Sequence, residues 1–154
     1  NTDVFTSNLS RTIKTFKATV KNGLIYRKHM IDSRLVEQDL GEYSGLRYKE
    51  LESLIKSKNA YDKNWLMSCS HKPPNGESFH QLWQRVKSFV DEILLKYSRK
   101  NIIIFSHGGP IRAAISYAVN YNVKKVIPIE IQNTKVSLIQ YDKSRDSKLL
   151  FINK

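Results

Sequence analysis

A single cysteine, Cys69, stands among 154 residues. That scarcity excludes a disulfide framework and a multi-cysteine zinc site, and it suits a reducing compartment, so a cytoplasmic location is expected. No apolar run approaches the roughly 18 residues of a membrane span, so no membrane partner is expected. Acidic side chains are few, 14 against 26 basic ones. No internal repeat, low-complexity tract or linker breaks the chain. An initiator methionine is also missing: the sequence opens Asn1-Thr2-Asp3-Val4-Phe5 and reads as the remainder of something longer.

What is present is enough for one core. The chain is 40% apolar and 26% charged, which fits a single folded domain over residues 1–154 and excludes a disordered tail. The net charge of +12 invites a nucleic-acid reading. The distribution argues otherwise, because 18 lysines and 8 arginines are scattered and never exceed pairs such as Arg27-Lys28 and Lys124-Lys125. No specific nucleic-acid partner is expected. Such a surface is an ordinary solvated face that also raises the local concentration of anionic substrates.

Periodicity sets the coarse fold. Asp3–Thr6 reads as a strand, with Ser7 as the N-cap of a helix carrying Leu9, Ile13, Phe16 and Val20 and stopped by Asn22-Gly23. Residues 31–46 read as irregular, with turns at Gly41 and Gly45, and Leu51, Leu54 and Ile55 suggest a short helix. The longest helix is expected from Glu77 to about Lys100, with Phe79, Leu82, Val86, Phe89, Val90, Ile93, Leu94 and Tyr97 in its stripe. Ile102-Ile103-Ile104-Phe105 reads as a strand buried on both faces. Gly108-Gly109 then turns the chain, with Pro110 at the first position of the next helix. Strands near Val136–Tyr141 and Leu149–Asn153 close the sequence. Strand–helix alternation of this kind is α/β with a largely parallel sheet.

Three features carry chemistry, each with a plain structural alternative. His107 follows a strand and precedes a helix, where open α/β sheets bind ligands and helix N-termini meet anions; the alternative is a satisfied histidine at a tight turn. Glu77 begins the longest helix, where a carboxylate also simply complements the helix dipole. Arg11 lies early in the first helix, off its apolar stripe, where a surface arginine is unremarkable. Tyr61, Trp65 and His71 are candidates to line a pocket, or else core and surface filling.

The order and spacing of the blocks say more than any one of them. Thr6-Ser7-Asn8-Leu9-Ser10-Arg11 with Thr15, Leu35-Val36-Glu37-Gln38-Asp39-Leu40-Gly41-Glu42-Tyr43-Ser44-Gly45-Leu46, Gly76-Glu77-Ser78 with Arg85, Ser106-His107-Gly108-Gly109 with Arg112, and Asn133-Thr134-Lys135-Val136-Ser137 follow one another across nearly the whole chain. In this the sequence resembles the histidine phosphatase superfamily, the phosphoglycerate-mutase-like proteins. Gly-Glu-Ser and the compact Gly45–Gly76 interval resemble its small phosphatases, including α-ribazole phosphatase-like enzymes.

The resemblance implies a three-layer αβα sandwich with a mostly parallel sheet. It also implies a two-step phosphoryl transfer that uses no metal and no cofactor, acting on a small phosphorylated metabolite. Arg11 would clamp phosphate oxygens, His107 would bind the phosphoryl group and stabilise charge, Glu77 would protonate the leaving oxygen, and Gly108 would let backbone approach the anion. The family's nucleophile is the histidine of an Arg-His-Gly motif after its first strand. This sequence has no Arg-His-Gly; its histidines are His29, His71, His80 and His107. The chain is therefore expected to lack the N-terminal central strand and to be inactive alone. The rivals are mutase-type phosphoryl transfer and a non-catalytic anion-binding or interaction protein with the same fold.

Overall fold

In this computed structural model, residues 2–57, 68–97, 100–141 and 147–154 are described. The elements run β1 (Asp3–Thr6), α1 (Ser10–Lys21), β2 (Lys28–Ile31), short 3-10 turns at Ser33–Leu35 and Gly41–Tyr43, and α2 (Tyr48–Ser57). They continue with α3 (Phe79–Lys96), β3 (Ile102–Phe105), α4 (Gly108–Ala118), α5 (Val123–Val126), β4 (Leu138–Gln140) and β5 (Lys148–Phe151). The chain is α/β. Its parallel sheet has the order β2–β1–β3, with Asp3 in register with both Lys28 and Ile102. β4 and β5 form a separate antiparallel pair.

β1 is central, and all four of its residues are buried. Alternation along a strand sends Phe5 to one face and Thr6 to the other. Phe5 meets Phe89 of α3 edge-on, with ring centroids 5.3 Å apart. On the opposite face, the Thr6 hydroxyl bonds His29 Nε2 at 2.9 Å, and the His29 ring lies 4.2 Å from that of Phe16 on α1. Helices thus cover both faces, α1 on one and α3 with α4 on the other. The main cluster joins Phe5, Leu82, Val86, Phe89, Val90, Ala113 and Ile115. Among the described residues no helix is long and apolar enough to cross a membrane.

Several local expectations need correction. Leu9, not Ser7, is the N-cap of α1; the Ser7 side chain is drawn instead toward His107. α3 starts at Phe79 behind a Ser78–Gln81 capping box, so Glu77 lies just outside the helix. α4 starts at Gly108 with His107 as its N-cap, which places Pro110 third rather than first. β3 is not covered on both faces: Ile104 is 42% exposed, because β3 is the outer strand of this sheet among the described residues. β2 and α5 escaped the periodicity reading, both being only four residues long. Tyr61 and Trp65 lie outside the described residues, whereas His71 stacks on Tyr43 at 5.9 Å.

Two kinds of titrating group set the acid stability. Burial pushes His29 and His107 below the ordinary histidine value of about 6.5. The unfolded chain therefore takes up those protons first, and stability falls as pH drops through about 6.5 toward the folded values. The Arg27 guanidinium holds the buried Asp3 carboxyl below the usual range, and Lys96 with Arg34 does the same for Glu92. Their contribution is complete above about pH 4 and is lost as pH falls through the depressed folded values. Urea unfolding at about pH 7.5, 5.5 and 3.5 should show two successive losses. Equal stability at the two higher values would contradict the burial of the histidines.

Candidate active site

Two strand ends build the site. β1 and β3 run parallel and finish side by side, where the Ser7 amide donates to the Phe105 carbonyl at 3.2 Å. Ser7 and His107 are therefore brought together across 100 residues of sequence. His107 is 7% exposed, and its Nε2 lies 2.8 Å from Ser7 Oγ. Its Nδ1 accepts from Arg11 Nε at 3.0 Å. An accepting Nδ1 places the proton of the neutral ring on Nε2, which donates to Ser7. Ser7 Oγ in turn pairs with Thr12 Oγ1 at 2.8 Å, and Thr12 donates to the Leu9 carbonyl at 2.8 Å. A continuous hydrogen-bonded row thus fixes the imidazole from behind.

The charges around His107 oppose one another. Desolvation lowers its pKa most, Arg11 lowers it further, Glu37 raises it and Arg85 lowers it. Glu37 comes from the loop after the first 3-10 turn. Its Oε1 accepts from the Gly109 amide at 3.0 Å and from the Gln38 amide at 2.9 Å. This carboxylate sits on the first turn of α4, whose free N–H groups and dipole favour an anion. It is packed closely there: a Cβ on Gly109 would lie 2.4 Å from Glu37 Oε1. A Cβ on Gly108 would lie 3.1 Å from Arg112 Nη1, so the glycine leaves room for a guanidinium that is itself anchored to the Ile129 carbonyl at 2.6 Å.

Glu77 is placed differently. Both of its carboxylate oxygens are engaged by Arg85, with Nε to Oε2 at 3.1 Å and Nη2 to Oε1 at 2.5 Å. The Asp39 amide adds a third donor at 3.2 Å. Among the described residues no hydrogen bond joins Glu77 to Arg11 or His107. The loops carrying the two glutamates touch backbone to backbone: a Cβ on Gly41 would meet the Pro74 carbonyl at 2.1 Å, and one on Gly76 the Asp39 carbonyl at 2.6 Å. Only glycine permits that approach.

Of the four residues expected from sequence, the structure brings Arg11, His107 and Gly108 to one place and sets Glu77 in an ion pair beside it. Ser7 was expected only as an N-cap, and Thr12 and Glu37 were given no role by the sequence reading. Glu37 stood within a quoted block, but nothing local marks it: its significance is a contact with a helix start 72 residues away.

With this geometry, similarity to known proteins becomes informative. The family model of the histidine phosphatase superfamily (branch 1) matches residues 1–154. The chain belongs to the histidine phosphatase superfamily. It is 26% identical over 152 residues to candidate phosphoserine phosphatase 2 of Hydrogenobacter thermophilus, covering 98% of this chain and 71% of that protein. It is 28% identical over 115 residues to a 2,3-bisphosphoglycerate-dependent phosphoglycerate mutase of Methanococcus vannielii, covering 70% of this chain and 49% of that one. The solved structure of a candidate α-ribazole-5′-P phosphatase of Escherichia coli has the same fold, with a TM-score of 0.81 at 22% identity, over 98% of this chain and 72% of that one. The histidine phosphatase fold and the likeness to phosphatases and mutases agree with the resemblance drawn from the sequence blocks.

Proposed function

We propose that the protein hydrolyses small phosphomonoesters through a phosphohistidine, with Arg11 and His107 binding the phosphoryl group and Glu77 of the Gly-Glu-Ser block carrying the leaving group's proton. The observation that supports this most is the Arg11 Nε to His107 Nδ1 hydrogen bond at 3.0 Å beside a carboxylate seated on the same helix start. A phosphoryl oxygen entering between them accepts from the guanidinium, whose planar fork suits two oxygens at once. Once His107 takes up a proton, the same oxygen accepts from the imidazole as well. Charge developing in transfer is then met by fixed donors.

The chemistry runs in two steps. A histidine nitrogen attacks phosphorus, the ester P–O bond breaks, and the leaving oxygen takes a proton from Glu77. Water then attacks the phosphohistidine, gives its proton to Glu77, and the P–N bond breaks to free phosphate. Splitting the reaction this way replaces one hard step by two easier ones. Arg85 engages both oxygens of Glu77 and fixes the carboxylate beside the site, while Glu37 is committed to the Gly109 and Gln38 amides at the start of α4. The nucleophile is the histidine of an Arg-His-Gly segment, a motif these 154 residues do not contain. That same observation favours the second reading, a non-catalytic anion binder.

Residues 1–154 alone should bind phosphate or vanadate without sustained turnover of p-nitrophenyl phosphate. Binding should strengthen as pH falls toward the pKa of His107, and Arg11→Ala should weaken it by about tenfold or more, the worth of one charge-assisted hydrogen bond. Calorimetric titration of both forms checks this. Turnover by residues 1–154 that His107→Ala abolishes would make His107 the nucleophile. Failure of an Arg-His-Gly-bearing form to hydrolyse any phosphomonoester, with phosphate binding intact, would establish the second reading.

A further inference from the structure

Two groups bound the row of hydrogen bonds behind His107, and neither can reverse its part. At one end the Arg11 Nε–H can only donate, and it does so to His107 Nδ1 at 3.0 Å. At the other end the Leu9 carbonyl can only accept, and it takes the Thr12 hydroxyl at 2.8 Å. The Ser7 carbonyl, 3.3 Å from the same hydroxyl, leads to the same direction. Thr12 has a single hydroxyl proton, so in its 2.8 Å pair with Ser7 the Ser7 hydroxyl donates. Ser7 has then spent its own proton, and its lone pairs accept from His107 Nε2 at 2.8 Å and from the Leu9 amide at 3.3 Å. Ser7 is 0% exposed, Thr12 4% and His107 7%, so a reversed row would leave a buried group unpaired.

We infer that Ser7 and Thr12 are positioning residues that hold the proton of the neutral His107 ring on Nε2, and so reserve Nδ1, beside Arg11, for the proton taken up when a phosphoryl group binds. This rests on the reading of Arg11 and His107 as the phosphoryl-binding pair and adds which ring atom changes. An unprotonated Nδ1 turns a lone pair toward a phosphoryl oxygen and repels it. A proton from solvent on Nδ1 makes the ring an imidazolium that donates to that oxygen. Nε2 keeps its hydrogen throughout, so the row behind it does not rearrange. The charges facing His107 are Arg11 from α1, Glu37 from the loop and Arg85 from α3. Burial holds the ring below the ordinary value of about 6.5, so the free site is neutral at about pH 7.5 and the arriving anion draws the proton in.

The test follows the ring nitrogens of His107 by NMR in the 154-residue chain, before and after saturation with inorganic phosphate, and needs no turnover. At about pH 7.5 the free ring should carry its proton on Nε2, and phosphate should add a second on Nδ1. Thr12→Val keeps the shape and removes the hydroxyl between Ser7 and the Leu9 carbonyl. Ser7 can then turn its own proton toward Nε2. The ratio of the Nε2 to the Nδ1 tautomer in the free ring should therefore fall about three- to tenfold, the worth of one hydrogen bond. Thr12→Ser returns the hydroxyl and should restore the ratio, which a side chain that only filled space would not do.

Ser7→Ala is the second variant. It removes the acceptor from Nε2 itself, so it should lower the ratio at least as far, and adding Thr12→Val to it should lower the ratio no further. A ratio unchanged in both variants, with phosphate still bound, would overturn the positioning role and leave the phosphoryl-binding reading standing. Phosphate that binds without protonating Nδ1 would overturn the part reserved for that atom. Binding that neither Arg11→Ala nor His107→Gln weakens would put phosphate elsewhere, and the functional reading would fail with it.

Discussion

Replacing Glu77 by glutamine is expected to slow phosphoryl transfer from an alkyl phosphate by about 10²–10⁴-fold, the usual worth of a positioned general acid. That is about 3–5 kcal/mol of barrier. An alkoxide needs a proton as it departs, whereas a nitrophenolate leaves largely unaided, so p-nitrophenyl phosphate should lose far less. Glutamine keeps the size and can still accept from Arg85 or the Asp39 amide, so the fold is retained. Glu37→Gln should behave differently. It weakens the contact with the Gly109 amide at the start of α4, and any loss of rate should fall about equally on both substrates. Single-turnover phosphorylation of a form that includes an Arg-His-Gly segment, measured below the melting transition, separates the two glutamates. Leaving-group dependence in Glu37→Gln with none in Glu77→Gln would give the proton to Glu37.

Leu82→Ala is expected to cost about 2–5 kcal/mol of stability, the range for truncating a fully buried leucine. Leu82 is 0% exposed, and its Cδ1 lies 3.0 Å from where a Cβ on Gly109 would sit. It therefore fills the space directly beneath the start of α4, and shortening it leaves a cavity where α3 and α4 meet. For a chain of this size the melting temperature should fall by about 4–20 °C. Leu95 on the same helix is 82% exposed, and Leu95→Ala should stay within about 0.5 kcal/mol of wild type. Thermal melts of both variants check the pair. Equal, small effects would mean that the face of α3 given to the core is wrong.

Helix α3 shows why some of this was readable in advance. Of the eight residues in its expected stripe, Phe79, Leu82, Val86, Phe89 and Val90 are buried and Ile93, Leu94 and Tyr97 pack half-buried against the core, because a 3.6-residue repeat writes the inward face of a helix directly into the sequence. The strand–turn–helix around His107 was legible for a similar reason: an apolar run, two glycines and a new apolar stripe follow in a few residues. The start of α1 was less so. Ser7 has the chemistry of an N-cap, but a buried histidine 100 residues away competes for its hydroxyl and prevails. The exposure of β3 also escaped the reading, since its composition states what could be buried on both faces and its neighbours decide what is.

The two glutamates mark the boundary. By itself the sequence determined the α/β class, the register of apolar faces, and the ordered blocks that place the chain in its superfamily. All of these are local patterns or their linear order. Arg11 and His107 could be named from those blocks, but their 3.0 Å contact exists only because β1 and β3 lie side by side and parallel. Whether Glu37 or Glu77 meets the helix start was decided by tertiary structure alone. Both are carboxylates in glycine-bearing loops, and only one is neutralised by Arg85, a partner eight residues from Glu77 in sequence that also reaches across 48 residues to the Glu37 carbonyl. A carboxylate's chemistry follows from the charges and donors around it, and those are assembled by folding.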